Sequence, residues 1–342
     1  MPTQWIVCNP DRTPPSTPLP KHPAFDTWER YIAGYLRRGD GDFEYFVEEA
    51  FRLHSAVTSF GEGNIWLWHV VGTQAGQAQN LATNQWKPVD ELVKAGASRY
   101  GALPGNSHMP WTTNGVDDYC VLETFKKNSG RVTGIGGFND LTDESSSMEE
   151  TLKLIKEAGA TNALLKRRHA KLPLLPMNLE SWTAGDSVMS ALDPESGWGL
   201  INDEGVKDAY LVQEVIPMTY EYRFFVINGH AVTGAGCVEE FTPLDNKGED
   251  FDSRMREHRS YECPSPVESR PDILAKYDGF VQRVIAEMLL ERPDLNRYVL
   301  DVALGKNDEP VIVEFNSESN SGFFACRPVR VTAALAKLAA RS

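Results

Sequence analysis

In residues 298–316, Tyr-Val-Leu-Asp-Val-Ala-Leu-Gly-Lys-Asn-Asp-Glu-Pro-Val-Ile-Val-Glu-Phe-Asn, two β-rich runs flank a polar turn. That pattern predicts a β-hairpin. With Asp301 opposite Glu314, period-two alternation places Tyr298, Leu300, Val302, Val311, Val313 and Phe315 on one wholly apolar face. The other face carries Asp301, Glu314 and Asn316, oxygen donors whose cross-strand Cβ spacing is about 5 Å.

The rest of the chain reads as support for this hairpin. Residues 4–8 predict a strand, followed by a Pro-rich loop from Pro10 to Pro23. Apolar residues at helical spacing from Phe25 to Leu53, broken at Arg38-Gly-Asp-Gly-Asp, predict two helices. Residues 65–71 predict a buried strand with Trp66 and Trp68 on one face, and residues 73–115 show no clear period. Helices are expected over 117–127, which Asn-Ser-Gly stops, and over 148–158, which Gly159 ends before a strand at 162–166. Further strands fall at 210–216 and at 221–227, the latter paired through Asn228-Gly229 with 230–234. The charged stretch 239–259 reads as a surface loop able to cover a site. An amphipathic helix at 271–290 and a last helix at 332–338 complete the pattern.

Composition narrows the class. The 342 residues, 41% of them hydrophobic, suffice for two or three packed units. A net charge of −14 opposes phosphate backbones, which argues against nucleic acid as a partner despite the basic run at 166–171. Cys8, Cys120, Cys237, Cys263 and Cys326 are scattered and without C-x-x-C spacing, as expected of reduced thiols in a cytoplasmic protein. Neither a signal peptide nor a membrane span is expected.

Asp301 and Glu314 side by side repel unless a cation lies between them. Hard oxygen donors carrying two charges suit magnesium better than zinc, which prefers His and Cys. The plainer reading is an edge hairpin whose polar face is simply wet. Against it, that face offers the carboxylates no basic neighbour in the hairpin and ends in Asn, a poor strand former.

The Asp301, Glu314 and Asn316 spacing resembles the metal-binding end of the ATP-grasp ligases, closest in style to a phage-associated branch. The resemblance covers roughly residues 120–330. It implies an α+β fold in which the nucleotide is held between two α+β lobes, with lobes at 121–210 and 211–342 after a divergent N-terminal α/β domain, 1–120. By that resemblance, Asp301, Glu314 and Asn316 hold Mg2+ on the phosphates of ATP. The helix-end lysine (Lys126 or Lys127), the strand-end Lys166 and the nearby Lys171 contact phosphates. Backbone at Gln213, Glu214, Val215 and Ile216 meets the adenine, and Glu221 takes the ribose hydroxyls. Arg223 reaches phosphate.

Three departures from the family pattern stand out: a basic loop at 167–171 in place of the glycine-rich flap, Val299 where an Arg usually precedes the metal Asp, and no Pro-Gly turn at 317–322. The second leaves Arg223 or Arg297 to hold an acyl phosphate. The activity implied is ATP-dependent joining of a small-molecule carboxylate to an amine, or to a peptide or protein acceptor, with Lys166, Arg223 and Arg297 as the groups acting on the phosphoryl. Trp66, Trp68, Trp111, Arg297 and Arg327 are candidates for the acceptor pocket, and packing or ion pairing explains each as well. A phosphotransferase and a non-catalytic nucleotide-binding module are the alternatives, and oligomeric state stays open.

Overall fold

The computed structural model describes residues 3–8, 65–70, 77–80, 86–94, 98–100, 116–167, 174–193, 209–259, 264–318 and 321–339. The helices expected at 25–53, Trp111 and Lys171 lie outside the described residues. Toward the N terminus, β1 (Thr3–Cys8) runs parallel to β2 (Ile65–Val70) and β5 (Ser98–Tyr100). Antiparallel β3 (Gln77–Asn80) and β4 (Trp86–Pro88) complete the sheet order β4-β3-β2-β1-β5, and α1 (Val89–Lys94) follows β4. The region without period thus holds short strands, too brief and too polar to signal themselves.

The helix expected at 117–127 divides into a 3-10 turn at Val116–Val121 and α2 (Glu123–Asn128). The second sheet is antiparallel, β6 (Thr133–Gly137), β7 (Asn162–Arg167), β8 (Leu174–Asn178) and β9 (Ala209–Glu214) in the order β6-β9-β7-β8. Between β6 and β7 come α3 (Phe138–Thr142) and α4 (Ser147–Glu157). Ser146 Oγ caps α4 by accepting from the Glu149 amide at 3.1 Å. Met148, Leu152 and Ile155 then pack against Leu165, Tyr210 and Val212. β9 straddles the boundary expected at 210/211, because its whole length pairs with β6 and β7.

The third sheet has the order β11-β10-β14-β15, from β10 (Thr219–Ile227), β11 (His230–Gly236), β14 (Arg297–Leu304) and β15 (Pro310–Asn316). A ribbon of β12 (Arg254–Arg256) and β13 (Val267–Ser269) precedes α5 (Pro271–Glu291), and α6 (Pro328–Ala339) follows β15. Asn228 and Gly229 turn β10 into β11 with φ of 51° and 73°, both in the left-handed region a tight hairpin needs. One sheet face packs on α5 through Tyr222, Phe224, Leu300, Val302 and Phe315 with Tyr277 and Phe280. Part of the other face is covered by Phe323, Val331 and Leu335 over Phe225 and Val299.

Asp301 does pair with Glu314, but the register then slips, so that Val302 faces Ile312. This bulge inserts Val313 as an extra residue and reverses the faces beyond it. Ile312, instead of Val311 and Val313, therefore joins the core with Leu300 and Phe315. The stretch 239–259 is fastened down along much of its length. Asp250 accepts from Arg327 at 2.8 Å and from Arg330 at 2.7 Å, and Asn246 donates to the Ala325 carbonyl at 2.5 Å. No described helix is long and apolar enough to cross a membrane.

Candidate functional site

On the uncovered part of the third sheet, charged side chains meet in a row across three strands. Arg223 of β10 lies between Ala235 of β11 and Asp301 of β14, and Asp301 lies beside Glu314 of β15. Alternation puts Glu221 on the same side of β10 as Arg223. Arg223 grips Asp301 with two parallel bonds, Nε to Oδ1 at 2.8 Å and Nη2 to Oδ2 at 2.7 Å, while Nη1 donates to the Gly322 carbonyl at 3.0 Å. The carboxylates thus have a basic neighbour that the hairpin alone does not contain; it comes from an adjacent strand distant in sequence. Burial would lower the Arg223 pKa, but the Asp301 carboxylate outweighs it and holds it well above the usual value.

Glu314 is where the second and third sheets meet. Lys166, at the end of β7, donates to Glu314 Oε2 at 2.9 Å, and Asn316 Nδ2 donates to Oε1 at 2.8 Å and to Asp301 Oδ2 at 3.3 Å. Burial pushes the Glu314 carboxyl up, yet Lys166 and Asn316 prevail and bring it down to about 2. Lys166 moves the opposite way, above its ordinary value, because Glu314 outweighs the burial that would lower it. Lys166 is therefore part of an interior pair and not of an exposed basic patch.

Sequence reasoning missed Arg131. Gly130 precedes it with φ +64°, where a Cβ would meet Val311 Cγ1 at 2.9 Å, so only glycine lets this backbone approach β15 so closely. The Arg131 guanidinium then donates to the Val313 carbonyl, lies 5.5 Å from the Phe125 ring, and leaves Nε buried without a partner. Burial lowers its pKa, opposed by Tyr119, Glu314, Glu214 and Glu221. Tyr119, packed edge-on against Phe125, has its hydroxyl pushed up to about 12, mainly by burial and against the pull of Lys166. The Ser129-Gly130-Arg131 step before a strand was the available signal.

At the end of β9, Glu214 Oε2 accepts from the Val132 amide at 3.1 Å and Oε1 from Lys306 at 3.2 Å. Gln213 and Glu214 thus end the second sheet, and Val215 and Ile216 carry the chain to the third. Glu221 accepts from Arg259 Nη1 at 2.7 Å. Burial nonetheless holds the Glu221 carboxyl above its usual value, with Arg259 opposing it.

Three expected residues are not brought to this cluster. Lys127 pairs with Glu287 on the outer side of α5, where α2 is also held by the Glu123 and Thr124 amides donating to Glu291 at 2.7 and 2.9 Å. Arg297 lies opposite Ile227 and 3.5 Å from Glu318, four residues or about 13 Å along β14 from Asp301. Arg327 is bound to Asp250 and to the Gly248 carbonyl at 3.1 Å. Spacing along the chain could not show that these three lie apart from the cluster.

Asp301, Glu314 and Asn316 fit a hard cation. With the Asn316 amide turned about so that Oδ1 lies beside them, each carboxylate oxygen keeps at least one free lone pair. Among the described residues, no group of three or more His, Cys, Asp or Glu could hold a metal, so the donor set rests on the amide as third member.

Residues 195–334 match a family model of the ATP-grasp domain, the second family of one clade of that superfamily. No curated protein matches the sequence. Among solved structures, the VanG D-Ala:D-Ser ligase from Enterococcus faecalis is 10% identical, with 99% of each chain covered and a TM-score of 0.50. D-alanyl-alanine synthetase A from Vibrio cholerae is 11% identical, covering 99% of this chain and 98% of that one, with a TM-score of 0.48. The D-alanine-D-alanine ligase from Coxiella burnetii is 10% identical over 100% of this chain and 97% of that one, at 0.46. At 10% identity the likeness to the VanG ligase is one of fold.

Proposed function

From the match of residues 195–334 to an ATP-grasp domain model and the shared α+β fold, we propose that this is an ATP-grasp protein and an ATP-dependent ligase joining a carboxylate to an amine. The observation that carries this reading is the pairing of Lys166 with Glu314 across two sheets, beside the Arg223–Asp301 pair. Opposed charges from the second and third sheets meet at one place. Such an arrangement suits a polyanion entering with its own cation.

In this reading ATP lies between the second and third sheets. The backbone of Gln213, Glu214, Val215 and Ile216 meets the adenine, Glu221 accepts from the ribose hydroxyls, and Lys166, Arg131 and Lys171 attract the phosphates. Asp301, Glu314 and Asn316 would hold magnesium, which supplies phosphate charge neutralisation when bound. A substrate carboxylate oxygen attacks the γ-phosphorus, the bond to the β,γ-bridging oxygen breaks, and ADP leaves with that electron pair. The amine then attacks the acyl carbon, phosphate departs with the C–O bonding pair, and the surplus proton on nitrogen passes to phosphate or solvent. Fixed cations matter most in the first step, where charge spreads over the transferring phosphoryl oxygens. Holding the reactants in line and away from water supplies most of the remainder.

A thermal-shift titration with ATP, with and without magnesium, tests the reading, followed by ADP release with a panel of amino acids and peptides. Nucleotide at about a hundred times its Kd adds roughly 2.7 kcal/mol, a shift of a few degrees. The wild type is expected to show a magnesium-dependent shift and Glu314→Gln to lose both it and ADP release. A wild type that no nucleotide shifts overturns the proposal.

A further inference from the structure

We propose that Arg259 is a substrate-binding residue, the guanidinium that receives the carboxylate of the acid substrate and then its acyl phosphate; this rests on the ligase reading above. The argument begins with the cations around the charged face. Arg223 is committed, with two bonds to Asp301 and a third to the Gly322 carbonyl. Lys166 is held by Glu314, and Arg131 donates to a β15 carbonyl. Strand β14 supplies no cation two residues before Asp301, since Val299 there is buried under Phe323 and Val331. Arg297 is at the far end of that strand.

Arg259 differs in its setting. It stands at the end of the fastened 239–259 stretch, its side chain 34% exposed, and its partners are two carboxylates, Glu221 through Nη1 and Glu239 through Nε. Both are themselves partly exposed. Its guanidinium thus already binds the chemical group that the proposal has it receive. An incoming carboxylate replaces Glu239 like for like, so little solvation is lost in the exchange.

Phe324 supplies the platform. The Arg223 guanidinium carbon lies 5.0 Å from the centre of its ring and that of Arg259 6.0 Å, so one aromatic ring carries both. Phe324 has a φ of 49°, a strained value for a large side chain, which must be held by its surroundings. Its neighbour Phe323 does part of this by stacking on Phe225 at 4.7 Å. The ring is thus near both guanidiniums, and Glu221, which Arg259 holds, shares its side of β10 with Arg223, the partner of the metal-site Asp301.

The test is calorimetric titration of acetonylphosphonate, in which a methylene replaces the bridging oxygen of acetyl phosphate, into protein saturated with MgADP. Wild type is expected to bind it, Arg259→Ala about ten- to a hundredfold more weakly, and Arg259→Lys to an intermediate degree because charge remains while the fork is lost. MgADP affinity in both variants should be kept or raised, since Glu221 is released. Arg259→Lys keeps the test decisive should the alanine variant fold poorly. Wild type that binds MgADP but not acetonylphosphonate, or variants equal to wild type, overturn this inference and leave the ATP reading intact. Failure of wild type to bind MgADP removes the ATP reading, and this one with it.

Discussion

The two faces of the third sheet are built from alternate residues of the same strands and solve opposite problems. Toward α5, Tyr222, Phe224, Leu300, Val302 and Phe315 exclude water by packing alone. Toward the second sheet, Glu221, Arg223, Asp301, Glu314 and Asn316 bring charge into a poorly solvated space and must satisfy it with one another. Packed apolar faces tolerate a lost methylene group at graded cost, whereas a paired buried charge fails abruptly when one partner goes. The difference teaches that the charged face is held by pairs, and pairs are what mutation should address.

The largest effect is expected from breaking the most enclosed pair. Asp301 is 0% exposed, so Asp301→Ala strands the Arg223 guanidinium and should cost about 3–5 kcal/mol in urea unfolding. Replacing both at once, Arg223→Met with Asp301→Leu, should cost much less than the single change, because no charge is left uncompensated. Leu300→Ala, one residue away on the apolar face, should cost about 2–5 kcal/mol with no such rescue by a second substitution. Additive costs at the charged pair would remove the contrast between the faces.

Next comes pH. Glu314 falls from 4.5 to about 2 on folding, so its depressed pKa contributes stability that is complete above about pH 4.5 and is lost as pH falls toward 2. The contribution is on the order of 3 kcal/mol. Lys166→Met removes the strongest attraction and should move the acid unfolding midpoint upward. An unchanged midpoint would mean that the lysine does not hold the carboxylate.

The fold was legible in the sequence where periodicity was long. The Asn228-Gly229 hairpin, α5 and the β14–β15 hairpin lie where alternation, helical spacing and turn residues place them. Legibility ended where a single residue changes direction. The bulge at Val313 reverses a face without altering composition. It ended also where the partner is remote: Arg223 stands 78 residues from Asp301 and Lys166 stands 148 from Glu314, separations over which no local pattern operates. The lysine at the end of a short helix could be read, but not the direction in which it points.

That last point yields the smallest and sharpest test, a pair of variants seen from opposite sides of α2. Lys127 is an exposed partner of Glu287, and Arg131, four residues on, is half-buried, with its guanidinium on the Val313 carbonyl and under the influence of Tyr119, Glu314 and Glu214. An exposed ion pair contributes about 0–1 kcal/mol, so Lys127→Ala should shift unfolding by no more than about 0.5 kcal/mol and leave the ATP-induced thermal shift as it was. Arg131→Met keeps much of the side-chain volume, loses the charge, and should diminish that shift. Should the lysine variant lose the ATP response while the arginine variant keeps it, the phosphate contact belongs to the helix end, and α2 must reorient on nucleotide binding to deliver it.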